Sequence, residues 1–273
     1  MPDHSTWFRF LPFYQEVMEA IYSSGLPLSH QSLMGTERFG GEHVFNALLV
    51  FAILLAVSLV VRGKLTDVKA ALVPDPKLSV RTIVEMITEA ALWLMKDMMK
   101  PDQARYFLPL IGTCAFFILF LNLLGLVPGF SPPTSTLNTT VACAIVIFTV
   151  THVYGLKSHG PKYIMHFFGP VVPTKDTPIY AVPFILILMA LMFVIECISH
   201  IARPVSLSVR LMGNMFADHT VVAIFVVLVP ILPVIVPLPV MLLGVFVCFV
   251  QTLVFCLLSI IYISTAIEHA EEH

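Results

Sequence analysis

Long apolar runs separated by short polar intervals dominate the chain: 44–61, 107–127, 139–156, 180–195 and 239–265 carry almost no charge. A bilayer core requires roughly 20 apolar residues as helix. Apolar residues within each run are continuous, not alternating, which predicts membrane helices and excludes barrel strands. The expected fold is all-α and polytopic. It comprises a single membrane domain over 44–273, preceded by an N-terminal segment, 1–43. The spans fall at about 44–61, 107–127, 139–156, 180–228 and 239–267, the last two long and tilted and the second and third forming a helical hairpin.

Two intervals have their own patterns. "LSVRTIVEMITEAALWLMKDMMK" repeats apolar residues at helical spacing beside Arg81, Glu85, Glu89, Lys96 and Asp97. It predicts an amphipathic helix at about 78–99 on the membrane surface, ended by Pro101 and preceded by Pro74 and Pro76. From Tyr180 to about Leu228 a helical pattern runs for some fifty residues, interrupted only by Pro204. At 1.5 Å per residue that is about 75 Å, against a hydrocarbon core about 30 Å thick. The pattern fits either two spans or one strongly tilted helix bent at Pro204, and the tilted helix is the expectation. "VPILPVIVPLPV" (229–240) then predicts a turn. The start, "MPDHSTWFRFLPFYQEVMEAIY", lacks the basic flank and apolar core of a cleavable leader and suits the membrane interface, where Trp and Tyr concentrate.

Charge sets the orientation. Eight of the fifteen Lys and Arg residues fall in 62–106 (Arg62, Lys64, Lys69, Lys77, Arg81, Lys96, Lys100 and Arg105). The positive-inside rule puts that stretch in the cytoplasm and the N-terminus in the periplasm. The loop "GFSPPTSTLNTT" is then external, and one tilted helix over 180–228 leaves the C-terminus cytoplasmic. With 12% charged residues and a net charge of -2, the chain has no basic cluster to suggest nucleic acid. Its five cysteines lie in apolar runs without a CxxC pair and read as small buried hydrophobes. Histidines and cysteines never reach zinc-ligand spacing, and the terminal "HAEEH" differs in order from a metalloprotease helix, so neither metal nor cofactor is expected.

The polar residues inside 196–219 require a reason. On a helix, Ser206, Arg210, Asn214 and Asp218 share one face, opposite Leu207, Val209, Leu211, Met212 and Met215. An Arg near the bilayer centre costs about 2.5–3.5 kcal/mol on insertion scales and does not escape by deprotonating. Arg210 should therefore meet a carboxylate, either in a buried ion pair with Asp218 or Glu196 or as a fixed cation on an ion path. Asp218 with His219 suggests a proton relay. Glu196, His200 and Arg203 form a second polar line, readable also as an interfacial ion network. On the last span Gln251 is the strongly polar residue between Pro239 and Ser259. Gly244, two turns earlier, predicts close packing or room for water.

"PVSLSVRLMGNMFADH" resembles the signature of subunit a of F-type ATP synthases: a Pro, a Ser-Leu pair, then Arg-Leu-x-Gly-Asn-x-x-Ala. "FLNLLGLVPG" (120–129) with "PPTSTLNTT", "VPLPVMLLG" (236–244) and "VQTLVFCLLSIIYI" (250–263) extend the likeness over most of 42–268. The resemblance implies a stationary, non-catalytic membrane subunit of the bacterial inner membrane. Its partners would be the rotating c-ring, peripheral-stalk b subunits, lipid and protons. Arg210 looks like the arginine that meets each passing rotor carboxylate. Asn214 and Gln251 look like its polar neighbours, and Glu196, with His200 beside it, like an acid on the cytoplasmic path. Asp218 paired with Gly244 looks like the plastid and some bacterial branches. His219 departs from these, which usually have Glu, and leaves the carboxylate of that path to Asp218.

The expected mechanism has two half-channels that end near Arg210 without joining. An ion-coupled secondary transporter is the alternative, although no internal repeat supports it. A passive scaffold would need no mid-span Arg.

Overall fold

A computed structural model describes residues 42–64, 79–127, 130, 132–160, 163, 182–228 and 237–268. The described residues form six α-helices and one short 3₁₀ turn: α1 (Glu42–Lys64), α2 (Val80–Met98), α3 (Pro101–Gly125), the turn Pro133–Ser135, α4 (Leu137–His159), α5 (Val182–Leu228) and α6 (Pro237–Glu268). All but α2 are long and apolar enough to cross a membrane. The fold is all-α and polytopic. Residues 1–41 of the interfacial segment expected over 1–43, Pro74 and Pro76, and the tail 269–273 lie outside the described residues.

Local chemistry sets the boundaries. Ser79 caps α2, its hydroxyl accepting from the Thr82 amide at 3.4 Å. Pro101 opens α3 at its first position, where a missing N–H costs nothing. Pro101 is thus a start as well as a stop, and the helix that holds the 107–127 run begins six residues before that run. Similarly, Leu137–Thr140 are helix and not external loop. Pro237–Val240 are the first turn of α6, within the stretch expected to turn. Gly160, at φ +57°, ends α4 in a conformation that L side chains rarely adopt.

The long α5 is one helix of 47 residues through Pro204, which decides against two spans broken there. Pro204 has no N–H for the carbonyl of His200, and the Ser208 hydroxyl donates to the Pro204 carbonyl at 2.8 Å.

In lipid the helices gain little from hydrophobic transfer, so close packing and interhelical hydrogen bonds must hold them together. On α3, Ala104, Phe107, Ile111, Ala115, Ile118, Asn122 and Gly125 recur at three- and four-residue steps and are all buried. The small members let neighbouring backbones approach. This face meets α2, α6 and α1, while α4 packs on α5 and α6. Met95, Phe107, Ile111, Ile118, Ile147, Leu207, Leu211, Phe255, Ile260 and Ile263 form the core between them. One end is also joined by polar bonds: Ser264 donates to the Met98 carbonyl at 2.9 Å, and the Tyr106 and Tyr154 hydroxyls lie 2.7 Å apart.

Phe255 is fully buried in this core, whereas Leu59 is 60% exposed. Phe255→Ala should cost about 3–5 kcal/mol and lower the temperature at which the detergent-solubilised complex loses this subunit. Leu59→Ala should leave that temperature unchanged. Equal effects would contradict the packing described.

Candidate functional site

The 206–218 stripe lies on the outer side of α5. Ser206, Arg210 and Asn214 are exposed and Asp218 is half-buried, while Leu207, Leu211 and Met215 pack inward. Val209, expected on the packed face, is 48% exposed, because a two-residue step from Leu207 swings about 200° round the helix. Around the stripe, large apolar side chains of α5 and α6 also point outward, among them Ile201, Val205, Phe216, Leu242, Phe246 and Leu253.

Arg210 forms no ion pair among the described residues, with Asp218, Glu196 or any other acid. The buried ion pair weighed from the sequence is absent there. The helix rise separates Arg210 from Glu196 by about 21 Å and from Asp218 by about 12 Å along the axis.

Towards one end of the bundle, α5 and α6 meet through polar groups. The Asn214 amide donates to the Gln251 carbonyl oxygen at 2.5 Å, and Gln251 is 3% exposed. One turn further along α5 and two turns back along α6, Asp218 faces Gly244. A Cβ built on Gly244 would stand 2.5 Å from Asp218 Oδ2 and 2.8 Å from Leu126 Cδ2. The glycine is therefore what lets the carboxylate sit between the helices. Gly244→Ala must displace Asp218 or Leu126, and ATP-driven proton transport should fall several-fold at unchanged assembly. Wild-type transport would show that this close approach has no consequence. The His219 backbone belongs to α5, and its side chain lies outside the described residues.

Near the same level are polar groups not singled out in the sequence. Asn122 and Thr134 are fully buried, and neither Asn122's amide atoms, Thr134 Oγ1 nor Gln251 Nε2 has a hydrogen-bond partner among the described residues. Such groups need water or another chain, because leaving a buried polar group unsatisfied costs about 1–3 kcal/mol.

At the opposite end, His200 Nδ1 lies 2.9 Å from the Glu196 carbonyl and 3.3 Å from its carboxylate. Arg203 stacks its guanidinium over Tyr262, 5.3 Å from the ring centroid. His152 of α4 faces His200 with ring centroids 5.2 Å apart. His152, His200, Arg203 and Tyr262 border a cavity of about 20 Å³, lined also by Thr151, Pro204 and Leu207, enough in volume for a water molecule. The structure thus brings Asn214, Gln251, Asp218 and Gly244 together at one level, and Glu196, His200 and Arg203 at another. Ser206 and Arg210 stand between the two groups on the outer face. His152 and Tyr262 were missed, although His152 is the one histidine in the 139–156 run, which holds no Asp, Glu, Lys or Arg, and carried the signal.

Comparisons with known proteins agree on one family. The family model described as "ATP synthase A chain" matches residues 44–264. "ATP synthase subunit a 1" of Syntrophotalea carbinolica is 42% identical over 240 residues, covering 88% of this chain and 92% of that one. "ATP synthase subunit a" of Geobacter sulfurreducens is 39% identical over 261 residues, covering 96% and 97%. The protein of the same name from Sorangium cellulosum is 42% identical over 234 residues, covering 86% and 85%. With the matched region taking in all five apolar helices and the Arg210 stripe, the chain belongs to the ATP synthase A chain family.

Proposed function

We propose that the chain carries protons through the membrane part of a rotary F-type ATP synthase, along two half-channels separated by Arg210. It acts as a proton-translocating subunit of that complex, performs no bond chemistry of its own, and sits in the inner membrane of a bacterium as a multi-pass protein. The observation that carries the finer reading is the position of Arg210: a permanent cation with no ion pair among the described residues, on an exposed polar stripe bordered by large apolar side chains. Such a charge requires a mobile or foreign carboxylate, and a ring of c subunits passing along α5 and α6 would supply one at each step.

The outer half-channel would run past Asn122 and Thr134 to Gln251, Asn214 and Asp218, with His219 beside Asp218. A proton arriving there neutralises a rotor carboxylate, which then tolerates lipid because its charge is gone. After most of a turn the carboxyl comes near Arg210. The cation favours the ionised form, and the proton leaves through the inner half-channel at His200 and Glu196. Arg210 repels protons and so blocks a direct leak. One charge moved through 100 mV supplies about 2.3 kcal/mol, which drives the rotation. The basic stretch 62–106 favours a cytoplasmic location for the His200 end, with the C-terminus on that side and the N-terminus in the periplasm. The amphipathic α2 and the lipid-facing α1 are left for the membrane surface and a stalk b subunit.

A crosslink tests the rotor contact. Ser206→Cys, in a chain whose native cysteines are replaced, should form a disulfide with a cysteine on the outer helix of the c subunit and stop ATP-driven proton transport until reduced. A crosslink absent under oxidation, with both cysteines reactive, would place the rotor elsewhere. A secondary transporter would need no such contact, and membership of the family leaves that alternative without support.

A further inference from the structure

We propose that the groove between the ends of α3, α4 and α6 binds the headgroup of a phosphatidylethanolamine molecule from the surrounding bilayer. The proposal stands apart from the half-channel reading and needs only that the chain spans a membrane.

The groove holds about 310 Å³ and is lined by Asp102, Gln103 and Tyr106 of α3, Tyr154 and Ser158 of α4, and Ile267 of α6. Its size matches the lower end of small-molecule sites, about 300 Å³, and is about ten times a water's share of liquid volume. Asp102 is the second residue of α3, while Ser158 and Ile267 are the last but one of α4 and α6. Three spanning helices therefore reach one face of the membrane here, at the headgroup depth where Tyr concentrates. The α3 and α4 backbones hardly approach each other among the described residues. Across the gap their link is the Tyr106–Tyr154 hydroxyl pair, 2.7 Å apart.

The side chains suit a zwitterion. Asp102 is the one charged residue in the lining, and it forms no ion pair among the described residues. Tyr106 is 59% exposed, and no cation stands over its ring among the described residues. A carboxylate beside an open aromatic face favours an ammonium. On the α4 side the charge is opposite: Lys157 Nζ stands 5.7 Å from the Tyr154 centroid, and Ser158 adds a hydroxyl donor. That side favours a phosphate. Between them Tyr106, Phe107 and Tyr154 brace one another edge to face, with centroids 4.9–5.7 Å apart.

An ethanolamine phospholipid carries both groups on one short headgroup, so its ammonium reaches Asp102 while its phosphate stays near Lys157. Phosphatidylglycerol would set a net negative charge against Asp102 without a cation of its own. A choline headgroup has no N–H to donate to the carboxylate. A lipid is the source because Val153 and Leu156 of α4, beside Tyr154 and Lys157, are exposed and offer the acyl chains an apolar surface. Bound there, the headgroup ties the start of α3 to the end of α4.

The test uses the whole complex in vesicles of equal phosphatidylethanolamine and phosphatidylglycerol. A trace of phosphatidylethanolamine carries a photoreactive diazirine at the start of one acyl chain. After illumination, label is expected in peptides spanning 101–107 and 152–159. Excess unlabelled phosphatidylethanolamine should remove it, and excess phosphatidylglycerol or phosphatidylcholine should not. Asp102→Asn keeps the size and removes the charge, and Tyr106→Leu removes the aromatic face. Label at both peptides should fall several-fold in each variant, while label on the exposed face of α1, which reports general lipid contact, stays unchanged. ATP-driven acidification at the wild-type rate confirms assembly. Equal chase by phosphatidylglycerol, or unchanged labelling in an assembled Asp102→Asn, overturns the proposal.

Discussion

Arg210→Ala should abolish ATP-driven acidification of inverted vesicles at matched assembly, while the catalytic head still hydrolyses ATP. A rotor carboxyl crossing lipid is stable only when neutral, so something must make ionisation favourable at the one place where it has to occur. A unit cation about 4 Å away contributes about 4 kcal/mol at an effective dielectric near 20. That is roughly a thousandfold in the ionisation equilibrium. Nothing else at this level of α5 replaces it, since Ser206 and Asn214 are neutral. Arg210→Lys should recover little, because an ammonium is compact and sheds its proton when desolvated. The same substitution to alanine also removes the barrier to direct passage, so passive proton leak should rise in vesicles stripped of the head. Pumping at the wild-type rate would sink the assignment of Arg210.

Asp218→Asn should give the second largest loss, on the order of 10²-fold in proton transport if the carboxylate is the transferring group. The amide occupies the same space against Gly244 and preserves the packing. The change therefore removes titration and little else. His219→Gln should slow transport less, as Asp218 is the group held at the α5–α6 contact by the Gly244 gap. Wild-type rates in Asp218→Asn would remove the outer relay as described, and a larger loss in His219→Gln would move it one residue along.

Much of this arrangement is legible in the sequence because membrane helices obey few rules. Five apolar runs could only be spans, and Arg210 could only be exceptional, since its charge is permanent. Boundaries were less legible where one residue type does two jobs. Pro101 stops one helix and starts the next, and Pro237 and Pro239 sit inside the first turn of α6 instead of a loop. A helix start hides its prolines because the first N–H groups need no partner. The single α5 was the expectation, with two spans as the alternative that the pattern also allowed. Pro204 permits a break, and the sequence does not reveal that the helix runs on through it from Val182 to Leu228.

The site divides in the same way. Four-residue spacing put Ser206, Arg210, Asn214 and Asp218 on one face of one helix, and no tertiary information was needed. Pairings between helices were another matter. Asp218 with Gly244 was expected through a family likeness, whereas Asn214 and Gln251 were expected only as neighbours of Arg210, not as partners of each other. His152 with His200, lying on different helices without a shared motif, was not expected at all. A lone imidazole in an apolar run gives no sign of its partner until the helices are packed.

Access from the two sides tests most directly whether two separate paths end near Arg210. In a chain whose five native cysteines are replaced, Thr134→Cys and Thr151→Cys put near-isosteric thiols beside the outer and inner polar groups. Silver ion, added to one face of sealed vesicles at a time, reports which thiol each face reaches by its inhibition of ATP-driven proton transport. Inhibition of Thr134→Cys from the periplasmic face alone, and of Thr151→Cys from the cytoplasmic face alone, is expected. Both thiols reached from one face, or either from both, would mean a single continuous channel and contradict the separation by Arg210.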